Sequence, residues 1–502
     1  MSDLNKSPAN SNPANSNPDW EVVIGIEVHV QLNTRSKIFS NSSTEFGAEP
    51  NTQISPVDLG LPGSLPSLNQ EVLKKAVLFG LSINAEINPI SIFERKNYFY
   101  PDLPKGYQIS QFKHPIIGPG KLEINLANHQ TKIINITRAH LEEDAGKSIH
   151  DLIPYKTAVD LNRAGMPLLE IVSEPDLRSP SEAVSYLKTL HELVTAIDIT
   201  DGNLQEGSFR ADLNISVRPW GQEKFGTRTE IKNINSFRFA EQALNYEIDR
   251  QINILESGGK ITQETRLFDS EKIETRPMRS KEDAQDYRYF PDPDLPPVVL
   301  DRTWVENLKS TLPELPSQKR ARFKNLYLLN SEEITQLTKS KEISNYFENL
   351  VKLNHEPKIV SNWLNGEFSA LLNKNNLSFS GNPEPLKINL FSTLLYKIKD
   401  KILSNSAGKQ ILAELFKNPE LITTPEDLNN LIKNLGLEQV SDQDFLEKII
   451  LKIIQENPNQ IQELKSGKEK IMGYLIGQAM KLSQGKANPA ELKDVLLRRI
   501  QE

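Results

Sequence analysis

The chain has 502 residues, no cysteine, a formal net charge of −7, and 37% hydrophobic and 25% charged residues. A chain this long outgrows one hydrophobic core, so roughly two to four domains are expected, and the ordinary proportions exclude disorder throughout. The absence of cysteine excludes disulfides, thiolate metal sites and cysteine nucleophiles, while the acidic balance confines any nucleic-acid contact to a local basic face.

Residues 1–18 are rich in Ser, Asn and Pro without an apolar centre and read as a disordered leader, not a signal peptide. No apolar run is long enough to cross a bilayer, so no membrane association is expected and the expected location is the cytoplasm.

From Trp20 to Leu300 short alternating segments broken by Gly and Pro predict antiparallel sheet with some helices. In Val22 to Gln31, Ile26, Val28 and Val30 share one face and Glu27, His29 and Gln31 the other. A carboxylate and an imidazole two residues apart on one strand face can reach one cation; the alternative is an exposed polar face of a half-buried strand. Glu142, Glu143 and Asp144 precede Ala145, Gly146 and Lys147. Adjacent carboxylates at a site require a cation or a proton, unless the run is a solvated turn. Gly146-Lys147-Ser148 imitates the end of a phosphate-binding P-loop, but Leu141 stands where its first glycine belongs, and no Gly-x-Gly-x-x-Gly stretch occurs.

Phe209 to Val217 alternates an apolar face with a face of Arg210, Asp212, Asn214 and Ser216. A second strand, Thr227 to Ile231, carries Arg228, Glu230 and Lys232 before Ser236 caps a helix that ends at Gly258-Gly259. Two polar faces of mixed charge predict the lining of a cleft, with cross-strand ion pairs facing water as the alternative. Pro291, Pro293, Pro296 and Pro297 then end the first domain.

The rest predicts helices. Ser331-Glu332-Glu333 opens a capped run containing Ile334, Leu337, Ile343 and Phe347, and Asn362 to Leu372 is similar. After a polar stretch from Asn373 to Glu384 helices resume near Leu390, with breaks at Pro419 and Pro458. The expected fold is α+β: a leader at 1–18, a mostly antiparallel β-sheet domain with helices at 19–297, an all-α domain at 298–405 and an all-α tail at 406–502. From Lys465 to Arg499 eight Lys and Arg stand against three Asp and Glu, a phosphate footprint in an acidic chain.

Together with Glu27-Val28-His29, Tyr98-Phe99-Tyr100-Pro101-Asp102 and the run from Tyr287 to Asp294, the acidic segment resembles the B-subunit family of the aspartyl/glutamyl-tRNA(Asn/Gln) amidotransferases. The likeness runs from Trp20 to the C-terminus and includes Asn362-Trp363-Leu364 and Gly485-Lys486-Ala487-Asn488-Pro489. It implies a ligase that phosphorylates the side-chain carboxylate of mischarged Glu-tRNA(Gln) or Asp-tRNA(Asn) with ATP and amidates it. It further implies Mg²⁺ at Glu27, His29, Glu142 and Glu143, catalytic roles for Glu143, Asp212 and Lys232, and an ATP and substrate lining of Ser208, Arg210, Asn214, Glu230 and Asn233. Lys465, Lys468, Lys470, Lys481 and Lys486 are the implied tRNA contacts. This chain carries no thiol and no evident Ser-Lys amidase signature, so glutamine hydrolysis is expected from a partner; the resemblance implies that the partners are an amidase-type glutaminase (the A subunit) and the small C subunit. Many relatives carry four cysteines suited to zinc where this chain has Ser40, Ser42, Ser55 and Asp58, so no zinc is expected. Two other readings are a non-catalytic tRNA-binding protein and the archaeal-type relative, whose inserted domain has no room here.

Overall fold

The computed structural model describes residues 19–126, 130–280, 286–377, 379, 385–438, 443–466, 468, 470–483 and 487–501. The expected leader at 1–18 lies outside the described residues. The chain divides into two units, one reaching to Leu315 and one beginning at Pro316.

The first unit contains strands β1 (Trp20–Gln31), β2 (Ile90–Ser91), β3 (Glu94–Asn97), β4 (Tyr107–Ser110), β5 (Gly120–Asn125), β6 (Thr131–Glu143), β7 (Lys147–Ile153), β8 (Lys156–Asp160), β9 (Pro167–Ser173), β10 (Phe209–Pro219), β11 (Thr229–Ile234), β12 (Glu264–Asp269), β13 (Glu274–Ser280), β14 (Phe290–Pro291) and β15 (Val298–Val299). Its helices are α1 (Gln70–Ser82), α2 (Pro180–Ala196), α3 (Phe237–Glu256) and α4 (Arg302–Thr311). Eight strands form one sheet in the order β13-β12-β11-β10-β1-β9-β6-β5. Every pairing in it is antiparallel except β11 with β12, which run parallel. A parallel pair needs a crossover, and α3 supplies it.

Alternation puts Val22, Ile24, Ile26, Val28 and Val30 of β1 and Phe209, Ala211, Leu213, Ile215 and Val217 of β10 on the core side. Val72, Phe79, Tyr186, Leu190, Ala243 and Leu244 from α1, α2 and α3 complete that core. The helices start where the sequence provides an acceptor: Ser179 accepts from the Glu182 amide with Pro180 following, and Ser236 accepts from the Phe239 amide. Helix α3 ends before Gly258, whose φ of +78° suits a residue without Cβ. The proline cluster does not close this unit. Beyond it β15 pairs with β2, and Leu308 of α4 joins the core.

The second unit is helical, so the whole chain is α+β as expected. The run opening at residue 331 is two helices, Ser331–Leu337 and Lys341–Lys352. Asn330 forms a capping box with Glu333, and Ser340 caps the second helix by accepting from the Ile343 amide. Pro357–Trp363 continues through a π-helical turn, Leu364–Phe368, into Ser369–Lys374. One core runs from Phe323 to Ile432 and a second from Leu446 to Leu496. The boundary expected near residue 405 falls inside the first of these, because Ala407, Ile411, Leu412 and Leu415 pack in it with Leu390, Leu394 and Leu395.

Candidate active site

Strand β1 lies between β9 and β10, so His29 has Glu170 beside it on one side and Arg210 on the other, while Glu27 is paired with Asp212. Strand β9 in turn sets Glu170 against His140 of β6, with Glu142 two residues further along the same face. His29 Nε2 lies 3.3 Å from Glu170 Oε2 and 3.6 Å from Glu142 Oε1, and His140 Nε2 lies 3.3 Å from Glu170. Ser110 Oγ donates to Glu142 at 3.2 Å.

Ligand atoms of His29, Glu142 and Glu170 all lie within 4.8 Å of one another, a spacing and donor set that fit a divalent cation. Burial depresses the His29 imidazole, but the carboxylates of Glu170, Glu142 and Asp212 outweigh it and raise its pKa to about 9. Burial alone would lift Glu170, yet His140 and His29 hold it well below the usual carboxylate range. Glu27 is pushed up by burial and then by Glu170, Asp212 and Glu230, and it accepts from Asn214 Nδ2 at 3.0 Å.

The expected metal residues are thus only partly brought together. His29 and Glu142 converge, and Glu27 shares their face without joining the three. Glu143, the last residue of β6, is engaged elsewhere: its carboxylate accepts from the Lys105 ammonium and from the Ile109 amide at 2.9 Å, and its carbonyl from Gln108 at 2.7 Å. Sequence reasoning missed Glu170 and His140. The available signal was a lone carboxylate in the apolar run Pro167–Ser173, which burial requires to meet a partner.

Beside this group a bulge shapes the basic lining. Ala211 pairs with Ile234 and Leu213 with Ile231, so Asp212 faces two residues, Lys232 and Asn233. Asn233 takes up the extra turn at φ +68° and donates from its amide to the Phe268 carbonyl at 3.1 Å. Lys232 Nζ then reaches Asp212 at 2.8 Å and Glu230 at 3.3 Å. Burial works against the Lys232 charge, but Asp212 and Glu230 dominate and raise its pKa. Asp144 holds Arg210 at 2.8 Å and raises its pKa further, while the buried Arg210 Nε has no partner among the described residues. Ser208 is buried, and its carbonyl receives the Gln31 amide at 2.8 Å.

An aromatic wall stands by the acidic group. Lys96 Nζ lies 5.1 Å from the Tyr287 ring centroid and 5.8 Å from that of Tyr98. Burial opposes its charge, but Glu142, Tyr289 and Glu170 raise its pKa. Tyr289 stacks on Phe112 with centroids 4.5 Å apart. Asn97 secures the Tyr287 segment by donating to the Tyr287 and Arg288 carbonyls, and Arg95 grips Asp292 at 2.8 Å and Asp294 at 2.9 Å. Glu94-Arg95-Lys96-Asn97 resembles a solvated charge run in sequence, and only the pairing of β3 with β14 reveals its role.

Ser40, Ser42, Ser55 and Asp58 form a polar knot. Ser40, Ser42 and Ser55 donate their hydroxyls to Asp58 at 2.9, 2.8 and 3.0 Å. In the second unit Lys465, Lys468, Lys470 and Lys481 are exposed, whereas Lys486 lies outside the described residues. Among the described residues no helix is long and apolar enough to cross a membrane.

Comparison with known proteins identifies the family of the chain. Residues 22–306 match the GatB/GatE catalytic domain family and residues 345–500 match the GatB domain family. The B subunit of the aspartyl/glutamyl-tRNA(Asn/Gln) amidotransferase of Coxiella burnetii (strain CbuG_Q212) is 54% identical over 96% of this chain and 100% of its own length. The proteins of the same name from Thioalkalivibrio sulfidiphilus and Paraburkholderia phytofirmans are 53% and 51% identical, each over 96% of this chain. With catalytic and C-terminal domains both matched and such relatives aligned end to end, the chain belongs to the GatB family, the B subunits of ligase-type aminoacyl-tRNA amidotransferases.

Proposed function

We propose that this chain activates and amidates the side-chain carboxylate of mischarged Glu-tRNA(Gln), Asp-tRNA(Asn) or both, using ATP. The observation that carries the reading is the convergence of His29, Glu142 and Glu170 on the sheet face that also bears Asp212, Lys232 and Arg210. A carboxylate resists ammonia because it is an anion with a poor leaving group. In the proposed first step a carboxylate oxygen attacks the γ-phosphorus of ATP, the bond to ADP breaks, and an acyl phosphate forms. Ammonia then attacks the acyl carbon, loses a proton, and inorganic phosphate leaves.

His29, Glu142 and Glu170, with Glu27 nearby, would hold Mg²⁺, which when bound would neutralise phosphate charge. Lys232, kept cationic by Asp212 and Glu230, and Arg210, oriented by Asp144, offer the donors that anionic phosphoryl oxygens need. Asn214 holds the Glu27 carboxylate, and on this reading Ser208, Glu230 and Asn233 serve as lining for the nucleotide and the aminoacyl end. Glu143, bound by Lys105 and the Ile109 amide, acts in positioning the end of β6. Ammonia comes from an amidase-type glutaminase partner, and a small third protein completes a cytoplasmic heterotrimer. The exposed Lys465, Lys468, Lys470 and Lys481 contact the tRNA backbone.

The test uses the reconstituted complex with Lys232→Met and Glu142→Gln, scored for phosphoryl transfer to Glu-tRNA(Gln) and Asp-tRNA(Asn) and for tRNA binding. A loss of phosphoryl transfer of about a hundredfold with tRNA affinity retained is expected. Unchanged transfer in both variants would make a purely tRNA-binding role the better reading.

A further inference from the structure

The knot around Asp58 does more than fill space. Asp58 is 4% exposed and Lys37 is fully buried, with Lys37 Nζ 3.5 Å from Asp58 Oδ2. The Lys37 ammonium has no hydrogen-bond partner among the described residues, so Asp58 is its principal counter-charge. Asp58 in turn collects the hydroxyls of Ser40, Ser42 and Ser55 and the Ser55 amide at 2.9 Å. Two opposite charges sequestered in this way tolerate little displacement, because moving either leaves a desolvated ion.

What they press against is Gly165. Its φ is +82°, and a Cβ there would stand 2.7 Å from Asp58 Oδ1 and 3.4 Å from Lys37 Cδ. The Gly165 carbonyl accepts the Ile38 amide at 3.1 Å, adjoining Lys37, and the Gly165 amide donates to the Asp144 carbonyl at 2.9 Å. Asp144 N donates to the Met166 carbonyl at 2.8 Å, closing a tight backbone exchange, and its carboxylate holds Arg210. A continuous chain of contacts therefore joins the buried pair to a cation of the proposed phosphate pocket.

We propose that Lys37 and Asp58 are positioning residues whose ion pair fixes the Gly165 turn and thereby aims Asp144 and Arg210 at the nucleotide. The inference rests on the reading of Arg210 as part of that pocket. It assigns catalytic consequence to side chains that touch neither substrate nor cation. The serine hydroxyls hold the Asp58 carboxylate in place, and Lys37 sets a cation from within the chain beside it.

The experiment measures KM for ATP and kcat of the reconstituted complex with ammonium chloride as nitrogen donor, at a temperature where circular dichroism shows each variant folded. Lys37→Met and Asp58→Asn are each expected to raise KM for ATP about tenfold with kcat within about threefold, and the double variant is expected to recover most of the loss. A purely structural pair would lower the melting temperature and leave KM where it was, and that result overturns the proposal. If neither single variant folds, Ser40→Ala/Ser42→Ala decides, since it retains both charges but loosens Asp58; an unchanged KM there overturns the proposal, and a rise of about threefold supports it. Arg210→Ala separates the layers. Its failure to alter KM would remove the pocket reading and this proposal together, whereas a raised KM in Arg210→Ala beside unaltered Lys37 and Asp58 variants overturns the positioning alone.

Discussion

Glu170 is the residue on which the candidate cation site turns, because its carboxylate lies 3.3 Å from both His29 and His140 and completes a group that His29 and Glu142 leave one ligand short. Glu170→Gln is expected to weaken binding of Mn²⁺, used as a probe for Mg²⁺, by at least about tenfold in titration calorimetry while the fold persists. Undiminished Mn²⁺ affinity would remove Glu170 from the ligand set. Part of this was legible in sequence: alternation in β1 and β10 exposes Glu27, His29, Arg210 and Asp212 as one polar face. The rest was not. Glu170 interrupts an apolar strand with a single acid, and whether Glu142 or Glu143 turns toward His29 depends on how β6 pairs with β9, which is tertiary information.

At the level of elements, local rules placed starts and stops better than they placed continuity. Ser236 and Gly258 bracket α3 as expected, but the run from Ser331 is split because Ser340 offers a second N-terminal acceptor. The π-helical turn at Leu364–Phe368 left no sequence mark. It is accommodated by burial of Leu364 and Phe368 in the helical core. His355, in the connection before Pro357–Trp363, is buried, bonded to Ser392 Oγ at 2.7 Å, and has its pKa lowered first by burial and then by Lys399. The unfolded chain therefore binds a proton at higher pH than the folded one. The stability His355 confers as a neutral ring is full above the ordinary histidine value of 6.5 and is lost as pH falls through that value toward the lower folded one. Replacing His355 with Gln is expected to shrink the fall in melting temperature of the second unit between pH 7.5 and pH 5.5, read by calorimetry, to roughly that of its remaining groups. An identical pH dependence in both proteins would contradict this.

For the whole molecule, the cores decide where the chain can be cut. A truncation after residue 405 would strip Ala407, Ile411, Leu412, Leu415, Phe416, Leu428 and Ile432 from a core shared with Leu390 and Leu394, and unfolding of the second unit is expected. A truncation after residue 438 spares that core and removes only Leu446 to Leu496, together with the basic face. The shorter cut is expected to keep the melting transition of the helical core and to weaken tRNA binding by about tenfold or more in filter binding. Retained tRNA affinity would place the RNA contact elsewhere. Composition announced several domains but not their seams, since the proline cluster near 291–297 interrupts the chain without ending its packing.

The place of β1 in the sheet carries a further consequence. It is one of the first segments of the chain, yet its two neighbours, Pro167–Ser173 and Phe209–Pro219, are made much later. During synthesis the strand bearing Glu27 and His29 must wait, with its apolar side chains and both hydrogen-bonding edges unmet, for some two hundred residues to emerge. Assembly of the centre is thus a late event for which the nascent chain needs protection from self-association, and the newest polypeptides are the most exposed to that hazard.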